Sequence, residues 1–114
     1  MAQNDVVMPS RVGQPRMKPI VFEGKRYEQV QNGMREGLGQ RTGLMAVYDV
    51  ASNKRIAVVK VYGVEHDPSV EQDIQDVFFT RFELIADKRE LLIENERHKR
   101  FAYNIDACTV RAID

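Results

Sequence analysis

The sequence predicts an α+β domain that is mainly β: an antiparallel curled sheet or small barrel of six to eight short strands with one short helix. Short runs of β-branched and aromatic residues recur after Leu44, several with a two-residue alternation of apolar and polar positions. The segments between these runs are short, which is typical of antiparallel neighbours. A helix-start pattern interrupts the strand pattern once, near Pro68.

The chain of 114 residues fits one domain, since typical domains hold about 100–150 residues. Residues 1–18 contain Pro9, Gly13 and Pro15 and have no sustained periodicity, so we interpret them as a flexible N-terminal arm. Residues 19–114 are then a single β-rich domain. A hydrophobic share of 43% and a charged share of 30% are ordinary globular values and argue against wholesale disorder.

The first ordered segments form a predicted hairpin and loop. The strands are 20–22 and 27–30, and Gly24 supplies the positive φ that a tight turn requires. Residues 32–43 hold four of the seven glycines, which disfavour both helix and strand, so this segment is a predicted loop.

The strongest strand signal lies on both sides of the turn 51–54. Residues 44–50 and 55–62 are rich in β-branched and aromatic side chains. Their nearly continuous apolar character predicts a hairpin that is central in the sheet or covered on both faces.

The helix is predicted at about 68–76. Asp67 is a suitable N-cap, Pro68 suits the first helical position, and Val70, Ile74 and Val77 share one helical stripe. A helix this short is stable only if its stripe packs on the sheet.

The remaining strands are predicted at 77–85, 91–95 and 100–105, with turns at 87–90 and 96–99. A last edge strand covers 108–113.

Two local resemblances accompany this pattern. The segment 43–49, followed by Lys54-Arg55-Ile56 and Lys60-Val61-Tyr62, resembles the hairpin of one blade in quinoprotein-type β-propellers. The resemblance implies a hairpin only, because a propeller needs at least four blades. The residues around 67–78 and 92–96 are similar to a family of small uncharacterised bacterial single-domain proteins, which implies a bacterial origin and no known activity.

Composition limits the possible partners and compartment. The 17 basic and 17 acidic residues balance, so net charge favours neither nucleic acid nor an anionic membrane. No apolar run approaches the ~18 residues of a membrane span. The single Cys108 excludes an internal disulfide, and the N-terminus has no secretory pattern, so we expect a cytoplasmic protein. A leader removed beforehand would leave the same sequence.

The loop 32–43 is the first candidate site. Arg35, Gly37, Gly39, Arg41 and Thr42 could present guanidinium and backbone N–H groups to an anion. A nucleotide fingerprint would need a helix after the loop, and here a strand follows. The competing interpretation is a mobile connector.

Two charged segments are weaker candidates. The acids and histidine of 65–76 could bind a metal, but they lack the calcium-loop pattern and suit a solvated helix face. The basic turn 97–100 could contact nucleic acid or an acidic partner, and a soluble hairpin tip is the competing interpretation.

We expect no catalytic residues, cofactor or metal site. Neither His66 nor His98 has a neighbouring nucleophile, and Cys108 lacks the local signatures of a catalytic thiol and is expected to be buried in packing. The sequence therefore favours a non-enzymatic interaction module that binds another protein or a second copy of itself. The alternative is a barrel that binds a small ligand or anion at the loop 32–43, with weak enzymatic activity.

Overall fold

A computed structural model describes residues 17–64 and 76–113, and these residues form eight strands. The strands are β1 (Ile20–Phe22), β2 (Lys25–Gln29), β3 (Leu44–Asp49), β4 (Lys54–Lys60), β5 (Phe79–Ile85), β6 (Glu90–Asn95), β7 (Arg100–Asn104) and β8 (Thr109–Ile113). Every strand pairs antiparallel with its neighbour in the chain. The result is two four-stranded sheets, of orders β1-β2-β3-β4 and β5-β6-β7-β8.

The predicted mainly β class and number of strands are confirmed, but the described strands do not close into a barrel. The chain between β4 and β5 passes from one sheet to the other, and among the described strands each sheet has two edges. The helix predicted at about 68–76 lies outside the described residues except for Asp76, which is not helical. The one helical segment in the described part is the 3-10 turn Ala86–Lys88.

The core lies between the two sheets. Alternate residues of each sheet face inward because side chains alternate across a strand. The buried cluster combines residues of both sheets: Tyr27, Met45, Val47 and Val61 with Phe79, Leu91, Ile93 and Tyr103. Each fully buried large side chain contributes roughly 1.5–3 kcal/mol, so the shared cluster holds the sheets face to face.

Two β-bulges modify this alternation. Val47 is opposite Ala57 while Tyr48 is opposite Arg55, so Ile56 is an extra residue in β4. In β5 the extra residue is Thr80. An extra residue shifts the alternation of every residue beyond it, and it increases the local bend of the strand.

Gly24 has the predicted positive φ, in a turn that is two residues shorter than the predicted one because β2 begins at Lys25. Glu23 and Gly24 have φ of 50° and 80°, so the β1–β2 connection is a two-residue turn with both residues at positive φ. In the β3–β4 turn Asn53 has φ 57°, and the Asp49 carboxylate accepts hydrogen bonds from the backbone N–H and hydroxyl of Ser52. These bonds lower the pKa of Asp49.

Arg89 joins three turns at one end of the sandwich. Its guanidinium donates two bonds of 2.7 Å to Glu23, in the β1–β2 turn, and bonds of 2.8 and 3.0 Å to Asp106, in the β7–β8 turn. The bonds to Arg89 lower the pKa of both carboxyls, and they raise the pKa of Arg89. Glu23 belongs to one sheet and Asp106 to the other, so this cluster ties the sheets together.

Candidate functional site

Strand β4 is an exposed edge of the first sheet. The sheet order leaves the side of β4 opposite β3 without a neighbouring strand in the described structure. The four consecutive residues 54–57 are exposed on both faces, and Ile56 in the bulge keeps 53% of its surface in solvent. The prediction that this hairpin is central or covered on both faces holds for β3, whose residues 44–47 are buried, and is wrong for β4.

The backbone of β4 presents hydrogen-bonding groups along this edge that no described strand binds. Val61 donates its N–H to the carbonyl of Gly43, the residue before β3, at 2.8 Å. Inward and outward groups alternate along an antiparallel strand, so the N–H and C=O groups of Val58 and Lys60 face away from β3. These are the groups that an added strand would bind.

The charged side chains of β4 are all cationic. Lys54, Arg55 and Lys60 flank the apolar run Ile56 to Val59, and the strand carries no acid. Arg55 forms an ion pair with Glu36 of the loop, and the two lysines are exposed at the ends of the strand. Edge lysines are a common device against edge-to-edge aggregation, and this is the signal in the sequence that could have identified β4 as an edge.

The loop 32–43 folds back over the outer face of the first sheet. Leu38 packs on Val30, Leu44 and Ala46, and the Gly33 N–H donates to the Arg41 carbonyl at 2.8 Å. A Cβ on Gly33 would lie 2.1 Å from the Gln40 carbonyl oxygen, so this close approach requires glycine. The loop is therefore an ordered part of the fold and more than a connector.

The structure places the five predicted anion-binding residues in three separate positions. Arg41 donates bonds of 2.9 and 3.0 Å to the carboxylate of Asp76, whose side chain is 4% exposed. The buried Thr42 hydroxyl accepts the Val77 N–H at 3.0 Å. Both residues thus fasten the loop to the segment that enters the second sheet.

Gly37 and Gly39 lie on the loop with φ of 74° and 89°, and a Cβ on either would meet open space. The Gly37 N–H donates to the Met34 carbonyl within the loop.

Arg35 lines a cleft of about 290 Å³ between the loop and the outer face of the first sheet. Ala46 and Tyr48 contribute to this cleft from β3, and Arg55 and Glu36 contribute the ion pair at its side. Arg35 therefore shares a cleft with Arg55 and does not share one with Arg41. Arg55 was not among the predicted anion-binding residues. Anion binding by the loop stays a prediction.

The two charged candidate segments are the acidic segment 65–76 and the basic turn 97–100. Residues 65–75 of the acidic segment lie outside the described residues, and Asp76 is held by Arg41. The basic turn is exposed at a hairpin tip, where the Asn95 side chain accepts the N–H groups of Arg97 and Lys99. Its role stays a prediction.

Cys108 is exposed, so its predicted burial is wrong. It lies in the β7–β8 turn with φ 59°, and its thiol donates to the Ile105 carbonyl within the turn.

The described part of the chain contains no group of three or more His, Cys, Asp or Glu side chains placed to hold a metal ion. Within the same residues, no helix has the length and apolar character needed to cross a membrane.

Comparison with known proteins found no relative of this chain. No protein-family model matches the chain, and the searches of curated proteins and of solved structures found no similar protein.

Proposed function

We propose that this protein is a non-enzymatic interaction module that binds an extended segment of another protein along the edge of β4. The observation that supports this most is the exposure of residues 54–57 on both faces of an edge strand with outward backbone groups. Strand addition uses such an edge: backbone bonds supply affinity, and side chains supply selectivity.

The positive charge of β4 favours a partner segment that carries acidic residues. Lys54 and Lys60 lie at opposite ends of the strand, and Ile56 offers apolar contact between them. The bulge at Ile56 puts Lys54 and Lys60 on opposite faces of the sheet. An extended segment that alternates acidic and aliphatic residues therefore meets one of the two lysines with its acids, and its aliphatic side chains contact the apolar residues of the strand on the other face.

The direct test is a binding titration with two synthetic peptides, one alternating valine with glutamate and the other valine with lysine. We expect the acidic peptide to bind about tenfold or more tightly than the basic one at low salt. The double substitution K54E/K60E reverses this preference if the lysines select the partner. Equal affinity for both peptides, or no binding of either, contradicts the proposal.

A proline substitution separates strand addition from simple charge attraction. Val58→Pro removes an N–H that faces the free edge, so the sheet keeps its own bonds while an added strand loses one. Val110→Pro is the matched control. Asn104 accepts the Cys108 N–H and so faces β8, its partner Thr109 faces β7, and the next residue, Val110, presents its N–H at the free edge of β8. We expect Val58→Pro alone to weaken acidic-peptide binding, with both variants folded by circular dichroism.

A second candidate function is anion binding in the cleft beside the loop 32–43. The observation that favours it is that Arg35 and Arg55 line the same cleft of about 290 Å³, next to the aromatic ring of Tyr48. Guanidinium groups bind phosphate and carboxylate groups through paired hydrogen bonds.

The test is thermal stabilisation by inorganic phosphate. If the cleft binds phosphate, the melting temperature rises with phosphate concentration in the wild type and in Arg97→Ala, an exposed arginine that does not line the cleft. The rise is lost in Arg35→Ala. An identical response of all three proteins would show that the cleft is not the site.

A further inference from the structure

We propose that two copies of this chain form a two-fold symmetric dimer in which β5 of one copy pairs antiparallel with β5 of the other, centred on Phe82. This inference concerns the second sheet and is independent of the proposed function of β4. The proposed partner of the β5 edge is a second copy of the chain.

The first support is the direction of the backbone groups. Asn95 donates its N–H to the Lys99 carbonyl, so Asn95 faces β7, and by alternation Ile93 also faces β7. Phe82 is opposite Ile93, which means that the N–H and C=O of Phe82 face away from β6. Phe82 on the symmetry axis would therefore exchange two backbone hydrogen bonds with its counterpart.

The second support is the charge pattern around Phe82. Arg81 and Glu83 both lie on the outer face of the second sheet, with side chains 49% and 51% exposed and an ion pair of 3.0 Å. Antiparallel pairing centred on Phe82 places Arg81 of each copy directly opposite Glu83 of the other. The four charges then alternate in sign around a square, so every cation has two anionic neighbours.

The third support is the position of the Phe82 ring. The ring packs against the core, with its centroid 5.6 Å from that of Phe79, and it remains half-buried. Residues directly opposite one another in an antiparallel pair have side chains on the same face. The two Phe82 rings would therefore lie side by side across the axis and cover the apolar surface that each copy leaves exposed.

The other described edges do not complement themselves in this way. Pairing β4 with its counterpart about the outward-facing Val58 places Lys60 opposite Ile56, and pairing β8 about the outward-facing Val110 places Arg111 opposite Thr109. Neither pairing brings opposite charges together. Strand β1 has only three residues. Opposite charges directly across from each other stabilise a strand pair, so β5 is the edge in the described structure that suits self-pairing.

The experiment is sedimentation velocity of the full chain over a range of concentrations, with charge-reversed variants. We expect the wild type to be a concentration-dependent dimer. R81E and E83R each place like charges at both cross-strand contacts, so each variant alone dimerises about tenfold or more weakly. An equimolar mixture of R81E and E83R restores every opposite-charge contact and recovers the dimer.

Recovery in the mixture is the result that a general loss of folding cannot produce. The neutral variant Arg81→Gln gives a milder test if a reversal perturbs the fold, and it should weaken the dimer less than R81E. A wild type that stays monomeric at its highest soluble concentration overturns the proposal. So does a dimer that both variants leave unchanged, or a weakened dimer that the mixture fails to restore.

The β4 and β5 proposals can be tested independently of each other. K54E/K60E should leave the oligomeric state unchanged, and R81E should leave acidic-peptide binding unchanged.

Discussion

At the scale of single residues, Thr80 decides which side of β5 faces the core. As the extra residue of a bulge it lets Phe79 and Phe82, three positions apart, both contact the core. A strict alternation would place Phe78 and Phe82 on one face and Phe79 on the other. The bulge therefore interrupts the two-residue alternation at the start of β5, between Phe79 and Arg81.

The positions of Phe79 and Phe82 relative to the core predict how much each side chain contributes to stability. Phe79 is fully buried, so Phe79→Ala should lower the free energy of unfolding by roughly 3–5 kcal/mol. Phe82 is half-buried, so Phe82→Ala should cost clearly less. Urea unfolding measures both, and it must be made where the wild type is monomeric. An equal or larger loss for Phe82→Ala would place the bulge elsewhere.

The Arg41–Asp76 pair gives a second prediction at this scale. Asp76→Ala leaves Arg41 without the carboxylate that it binds, and a hydrogen bond to a charged group contributes roughly 1.5–3 kcal/mol. We expect a loss of that size in chemical denaturation. Glu36→Ala is the control, because its pair with Arg55 is exposed and such pairs contribute about 1 kcal/mol or less. Equal losses would mean that burial of Asp76 has no energetic consequence.

At the scale of elements, the loop 32–43 is held in place at its end by Gly43. A Cβ there would lie 2.6 Å from the Tyr62 carbonyl oxygen, in a backbone with φ of 83°. Gly37 has a similar φ of 74° but open space around it. The two positions therefore separate the strain of the backbone from the crowding of packed atoms.

We predict that Gly37→Ala costs about 1–2 kcal/mol, from backbone strain alone. Gly43→Ala should cost more, since the backbone of the loop or of Tyr62 must also shift. Thermal unfolding of the two variants compares them directly. Similar melting temperatures would show that the loop moves away from Tyr62 without penalty.

The Arg89 cluster predicts a pH dependence. Carboxyls with a pKa lowered by folding stabilise the protein above their unfolded pKa of about 4, and this stabilisation is lost as pH falls through the folded pKa. Glu23 and Asp106 are such groups. Arg89→Gln should therefore reduce stability at neutral pH more than at about pH 3. Arg97→Gln, in an exposed turn, should show no such difference, and parallel curves for Arg89→Gln and the wild type would refute the cluster's role.

At the scale of the whole molecule, the two sheets share one core. The buried cluster draws residues from both sheets, and Tyr27 meets Tyr103 across the interface with ring centroids 6.2 Å apart. A four-stranded sheet that loses its partner exposes its whole inner face to water. The sheets should therefore unfold together.

Hydrogen exchange tests this cooperativity. The amides of Met45 and Ile93 lie in the central part of each sheet and bond to neighbouring strands, and both residues are fully buried. We expect them to exchange with the same free energy, equal to that of global unfolding. Exchange of one amide well before the other would show that one sheet opens alone.

Much of the fold was predictable because it depends on local chemistry. Gly24 at positive φ, the 51–54 turn and the last edge strand follow from residue types within a few positions. The site was less predictable. The pairing of Arg41 with Asp76 joins residues 35 positions apart, and Cys108 is exposed because of a turn that its own side chain does not indicate.

The sequence by itself determined where each strand lies, to within two residues at its ends, since side-chain period and turn dihedrals are properties of neighbouring residues. Only the tertiary structure decided that the strands form two sheets and that β4 and β5 are edges. Both hairpin strands of 44–62 carry apolar residues, yet one is buried and the other exposed. The difference comes from which surfaces distant strands cover, and no local pattern encodes that arrangement.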